Sequence, residues 1–217
     1  MKLLTHGNIN AQKIFLFFSG FAGNPSFFPH FYSSSSGLIL ISNYQHINLN
    51  LDFLKDKSIT LFAWSMGVAV AERLFFQKHS SLSFLAKNIT QKIAINGTPQ
   101  GIHKLYGIPP AFFKLTIKNF CLQDFCQNTF EQHLPLTNTF AFDPNHILQT
   151  ELKFLFSFCS SPVISSQWDL AFISTQDKIF NPQAQERGWK DHCKKITKIS
   201  SPHYPFFDFP NLNDFLQ

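Results

Sequence analysis

Residues 62–67 read Phe62-Ala63-Trp64-Ser65-Met66-Gly67, and the reading of this stretch decides the fold. The apolar run leading into it, Ser58-Ile59-Thr60-Leu61-Phe62-Ala63, has the composition of a strand covered on both faces. The residues beyond it, Met66 to Gln77 with Ala69, Ala71, Glu72, Arg73 and Leu74, read as a helix. A serine therefore stands where a buried strand runs directly into a helix. Such a turn holds the serine backbone under strain and exposes its hydroxyl, and the residues two before and two after must be small because they crowd each other. Here they are Ala63 and Gly67. Ala replaces the first Gly of the G-x-S-x-G pattern and keeps its steric logic. An ordinary serine N-cap is the alternative reading of the same residues.

Working outward, further short apolar runs are bounded by turn residues: Ile14-Phe15-Leu16-Phe17-Phe18 before Ser19-Gly20, Leu38-Ile39-Leu40-Ile41 after Gly37, and Lys92-Ile93-Ala94-Ile95 before Asn96-Gly97-Thr98-Pro99. Two more strands are expected later, Leu170-Ala171-Phe172-Ile173 and Lys195-Ile196-Thr197-Lys198-Ile199, with a helix from about Pro182 to His192 between them. This alternation predicts an α/β fold with a mainly parallel sheet. Between Gly101 and Pro162 the strand pattern lapses. Ten Phe fall there among Pro109-Pro110, Pro135 and Pro144, which reads as a helical insertion. The expected organisation is a core of residues 1–100 and 163–217 with a cap over residues 101–162.

A serine hydroxyl is a weak nucleophile without a base, and the base needs an acid to fix its tautomer. In α/β-hydrolases these follow in the order Ser, Asp or Glu, His, on loops at the carboxyl ends of strands. Asp177 follows the strand 170–173 and His203 follows the last strand, so Ser65, Asp177 and His203 meet both order and context. Asp169 begins its strand, His192 precedes the last strand and Asp208 comes after His203, so none of them fits. His6, His30, His46, His79, His103, His133 and His146 match no such slot. A tetrahedral oxyanion needs two donors. The Met66 N–H, directly after the serine, is one; the Phe21 N–H, in the loop Ser19-Gly20-Phe21-Ala22-Gly23, is the candidate for the other.

Composition narrows the class. The chain has 217 residues, 28 of them Phe, with 44% hydrophobic and 14% charged residues, which excludes disorder and suits one globular domain with an insertion. The Phe excess reads first as a compositional bias that fills cores. No apolar run reaches the roughly 20 residues that span a bilayer, and the first residues lack the apolar run of a signal peptide. Cys121, Cys126, Cys159 and Cys193 form no C-x-x-C pair; they read as reduced, buried thiols of a cytoplasmic protein. Net charge is +5, with eight Lys/Arg against three Asp/Glu in residues 1–100 and ten of each beyond, but no basic run points to nucleic acid. No P-loop, dinucleotide fingerprint or metal-ligand cluster is present, so no cofactor and no metal are expected.

Phe17-Phe18-Ser19-Gly20-Phe21-Ala22, Ala63-Trp64-Ser65-Met66-Gly67-Val68, Asn96-Gly97-Thr98-Pro99 and Ser201-Pro202-His203-Tyr204-Pro205-Phe206 together resemble the BioG group, pimeloyl-[acyl-carrier-protein] methyl ester esterases of biotin synthesis with an α/β-hydrolase fold. The resemblance implies Ser65 as nucleophile and His203 as base, with Asp177 as the acid. It also implies an acyl substrate carried on acyl carrier protein through phosphopantetheine. Phe112, Phe113, Phe120 and Phe125 then suit an apolar channel for the acyl chain, with filling of the cap's own core as the alternative, and Trp64, beside the serine, is a further expected substrate contact. Acyl carrier proteins are acidic, so Lys104, Lys114 and Lys118 are the expected docking residues, with a solvated helix face as the alternative. A thioesterase with the same three residues, and a non-enzymatic binding protein on this fold, are the rival functions.

Overall fold

A computed structural model describes residues 1–33, 37–78 and 80–216; His79 lies outside the described residues. Seven strands form one sheet: β1 (Lys2–His6), β2 (Lys13–Phe18), β3 (Gly37–Ser42), β4 (Ser58–Trp64), β5 (Ile89–Ile95), β6 (Trp168–Ser174) and β7 (Cys193–Ile199). Their order is β1-β3-β2-β4-β5-β6-β7. Every pairing is parallel except β1 with β3. The six strands expected from apolar runs are all present. β1 was not expected: all five of its residues are exposed, so it carries no buried-strand signal.

The sheet is covered on both faces, and the alternation along each central strand divides the core. Ile14, Leu16 and Phe18 of β2, with Ile59, Leu61 and Ala63 of β4, join one apolar cluster. Phe17, Phe62 and Trp64 join the other. The first face is covered by α1 (Met66–Ala71), α4 (Asn145–Cys159) and α5 (Pro182–Trp189), through residues such as Val68, Leu152 and Trp189. The second is covered by short segments and the C-terminal stretch, which supply Phe27, Phe28, Phe31, Tyr204, Phe206 and Phe215. Phe17 meets Phe28, Phe31 and Phe206 edge-on at centroid distances of 5.0, 5.4 and 5.9 Å. Much of the Phe excess lies here: a face without long helices is closed by side chains that each bury a large area.

Two helices, α2 (Pro110–Lys118) and α3 (Leu122–Phe130), precede α4 between β5 and β6. The prolines of this stretch start helices more than they break them, with Pro110 in the first turn of α2 and Pro144 immediately before α4. The expected helix 66–77 is α-helical only to Ala71 and continues as a π turn over Glu72–Phe76. That turn carries a buried acid and a buried base. Glu72 accepts from the Ser166 N–H and Trp168 Nε1, and Arg73 donates to the carbonyls of Pro99, Cys159 and Ser161. The cysteines are corrected as well: all four are free, but only Cys159 is buried, Cys121 being exposed and Cys126 and Cys193 half-buried. Among the described residues no helix is long and apolar enough to cross a membrane.

Candidate active site

The carboxyl ends of the parallel strands converge on one spot, as open α/β sheets place their sites. Ser65 follows β4 and takes φ 59°, ψ −130°, a sparsely populated conformation for a residue with a side chain. Two glycines make the turn possible. A Cβ on Gly67 would lie 2.3 Å from the Ser19 carbonyl oxygen, and one on Gly20 would lie 2.8 Å from the Ser65 Cβ. The helix start and the loop after β2 are therefore pressed against each other across the serine.

Ser65, His203 and Asp177 form one hydrogen-bonded chain. His203 Nε2 is 2.9 Å from Ser65 Oγ, and His203 Nδ1 is 2.8 Å from Asp177 Oδ2. The Asp177 and His203 side chains are 0% and 2% exposed. The carboxylate is fully engaged: Oδ1 accepts the Ile179 and Phe180 N–H groups, both at 2.8 Å, and Oδ2 also accepts from Gln185 Nε2 at 3.0 Å. These bonds fix the orientation of the carboxylate toward His203. The alternative acids sit elsewhere, Asp169 bonded to Lys194 and the Lys92 N–H, Asp208 bonded to Ser201.

The two expected oxyanion donors flank the serine. Among the described residues neither the Phe21 nor the Met66 N–H has a protein acceptor, and both residues line the same cavity as Ser65. That cavity has a volume of about 850 Å³. Its walls include Phe113, Phe120, Phe125 and Leu152, together with Phe112, which is 65% exposed. Lys104 lines it, joined by two cations the sequence did not single out, Lys178 and Arg187. Lys114 and Lys118 are exposed on α2 outside the lining, the first with its ammonium 5.4 Å from the Phe156 ring centre.

Trp64 corrects an expectation. It is 1% exposed, lies outside the cavity lining and packs in the second core cluster. Its side chain points to the sheet face opposite Ala63, because neighbours on a strand alternate, and its indole N–H bonds the His203 carbonyl at 2.9 Å. Asn96, noted only within a longer motif, has a comparable place. It joins Ser174 and the His203 carbonyl from φ 48°, a conformation that Asn tolerates better than most residues. Gln185 had no local signal at all. Among the described residues no group of three or more His, Cys, Asp or Glu is placed to hold a metal ion.

Comparison with known proteins identifies the fold and the family. The crystal structure of selenomethionine BioG from Haemophilus influenzae superposes with a TM-score of 0.87 at 27% identity, covering 100% of both chains. An α/β-hydrolase fold protein from Chitinophaga pinensis superposes at 0.63 with 12% identity, over 96% of this chain and 88% of that one, a likeness of fold alone. A protein of Bacteroides fragilis named malonyl-[acyl-carrier protein] O-methyltransferase is 29% identical over 204 residues, 89% of this chain but 40% of that protein's length. The chain thus has the α/β-hydrolase fold and spans less than half of that relative. The family model described as pimeloyl-ACP methyl esterase BioG matches residues 2–214, and the chain belongs to the BioG family.

Proposed function

We propose that this chain is a serine carboxylesterase that hydrolyses the methyl ester of a pimeloyl group held on acyl carrier protein, giving the free carboxylate and methanol. The observation that carries the reading is the Ser65–His203–Asp177 hydrogen-bonded chain, with contacts of 2.9 and 2.8 Å, beside a cavity with phenylalanine walls. Ser65 Oγ attacks the ester carbonyl carbon while His203 Nε2 takes its proton. The Phe21 and Met66 N–H groups receive the negative oxygen. His203 returns the proton to the departing methanol, then takes one from the water that attacks the acyl-enzyme, and Ser65 leaves with it. Asp177 stabilises the imidazolium without itself taking the proton.

The family supplies the substrate and the cavity is compatible with it, having the size and lining of a site for an acyl chain. The name of the Bacteroides relative points the same way: a protein that methylates an oxygen of a carrier-bound diacid makes the kind of ester that a methyl esterase removes. In this reading the part of residues 101–162 that precedes α4 acts as a cap, while α4 packs on the sheet with the core of 1–100 and 163–217. The acidic carrier protein is steered by Lys104, Lys114 and Lys118, and the reaction takes place in the cytoplasm without a cofactor. Phe112, Phe113 and Phe120 contact the acyl chain.

The test is incubation with pimeloyl carrier protein methyl ester and mass spectrometry of the intact carrier. Loss of the methyl alone is the expected result. Release of the whole acyl group would make the chain a thioesterase. An unchanged substrate, with no labelling of Ser65 by a fluorophosphonate, would make it a binding protein.

A further inference from the structure

The loop Ser19–Gly23 is held from behind by a carboxylate that the reaction above does not use. Glu151, on α4, is 1% exposed. It accepts the Tyr44 N–H at 3.0 Å, and the Ala22 N–H lies near the same carboxylate and favours its charged form. Ala22 directly follows Phe21 and takes φ 58°. A side-chain-bearing residue keeps a left-handed conformation only where its surroundings over-determine it. Here the Gly23 N–H bonds the Gly20 carbonyl at 3.1 Å, and the Ser19 N–H bonds the Ile41 carbonyl at 2.9 Å. The Tyr44 hydroxyl donates to the Ser19 carbonyl at 2.6 Å. Tyr44 thus grips the loop's first carbonyl with its hydroxyl and Glu151 with its N–H.

We propose that Glu151 is a positioning residue for oxyanion stabilisation: by holding Tyr44, whose hydroxyl grips the Ser19 carbonyl, it keeps the loop and its Phe21 N–H directed at the oxygen that becomes negative, and it ties that donor to the seating of α4. This rests on the reading of Ser65 as nucleophile. Besides Tyr44, the titratable groups that act on this carboxylate are Asp143 ahead of α4, Lys2 on β1 and the Met1 amine. Burial is the largest influence and pushes the Glu151 pKa up to about 7; Asp143 adds to the rise, and the nearby Tyr44 and Ala22 N–H groups and Lys2 oppose it. The charged, stronger acceptor therefore gives way to the neutral acid as pH falls through about 7.

The test compares wild type, Glu151→Gln and Glu151→Ala on p-nitrophenyl butyrate, with active sites counted by a fluorophosphonate and oxyanion binding read from the Ki of an alkyl trifluoromethyl ketone. For Glu151→Ala, kcat per counted site should fall about 10- to 100-fold while KM stays within about two-fold, as for a donor displaced rather than deleted. Ketone affinity should fall in step with kcat. Glu151→Gln, which keeps an acceptor, should recover most of the rate and lose the pH dependence that the carboxyl imposes near 7. Unchanged kcat per site and ketone affinity in Glu151→Ala would overturn the proposal. So would a loss confined to the number of countable sites, since that is a folding effect. If the alanine variant does not fold, an unaltered pH profile in Glu151→Gln overturns it. A wild-type chain inert to the fluorophosphonate would instead overturn the reading of Ser65.

Discussion

Trp64 donates its indole N–H to the carbonyl oxygen of His203 at 2.9 Å, so the residue preceding the candidate nucleophile holds the backbone of the candidate base. Asn96 Nδ2 reaches the same carbonyl at 2.8 Å. The imidazole ring lies 5.3 Å from the indole and stacks at 8° on Phe180, with 6.1 Å between centres. The loop after β7 is thereby fixed from β4 and β5, and the separation of Nε2 from Ser65 Oγ is set by contacts outside the three-residue chain.

Asn96 is the most exposed to mutation of these supports. Besides the His203 carbonyl, its amide nitrogen donates to Ser174 Oγ at 2.7 Å and its oxygen accepts the Ser174 N–H at 2.7 Å, all at a fully buried site. Asn96→Ala strands these partners, and leaving buried groups unsatisfied costs about 1–3 kcal/mol each. Urea unfolding should show a stability loss of about 3 kcal/mol, and kcat should fall because the His203 loop loosens. A loss below about 0.5 kcal/mol, the level of an inconsequential surface change, would contradict this account.

Ser65→Ala and His203→Ala should each reduce kcat by roughly a factor of a million on any ester, because the two side chains act as a unit. Asp177→Asn should cost roughly ten-thousand-fold, since the amide offers His203 Nδ1 the wrong partner. Circular dichroism should show all three variants folded. Near-normal hydrolysis by Ser65→Ala or His203→Ala would remove the proposed mechanism, and a mild effect of Asp177→Asn would leave the acid unassigned.

These three positions were legible because each sits on a loop whose place follows from counting strands. Ser65 closes a buried apolar run, while Asp177 and His203 come after the next two strand signals beyond the insertion. The supports were not legible in the same way. Trp64 looked like a substrate contact because sequence adjacency to Ser65 says nothing about which sheet face a side chain takes. Glu151 and Tyr44 are 107 residues apart, and neither position carries a local signal that it meets the other. β1 was invisible because its residues are all exposed and its pairing partner β3 lies across the chain.

Stability should also carry the mark of Glu151. Its pKa in the folded chain is about 7 against an ordinary 4.5, so the folded state binds this proton more tightly than the unfolded one. The stabilising contribution is complete below about pH 4.5 and is lost as pH rises to about 7. A difference of that size corresponds to an effect on the order of 3 kcal/mol. Glu151→Gln has no proton to lose, so unfolding measured at pH 5 and pH 8 should differ less in the variant than in wild type. An identical pH dependence in the two would show that this carboxyl does not titrate as described.

The carrier protein gives the last prediction. Lys114 and Lys118 lie one turn apart near the end of α2, share a face and are exposed. Lys104, Lys178 and Arg187 line the cavity itself, and Lys178 is already paired with Glu131 at 2.8 Å. An acidic carrier approaching the opening would meet the α2 lysines without their having to contact the acyl group. Charges placed in this way act mainly on the association rate and are screened by salt over about 10 Å at 0.1 M. Replacing both Lys114 and Lys118 by Glu should therefore raise KM for the carrier-bound methyl ester at low ionic strength, with the difference from wild type shrinking as salt is added. Hydrolysis of p-nitrophenyl butyrate, which needs no docking, should be unchanged in the same variant. Equal losses on both substrates would mean that the charge reversal had damaged the α2 region, and no loss on either would mean that the carrier approaches the cavity over another surface.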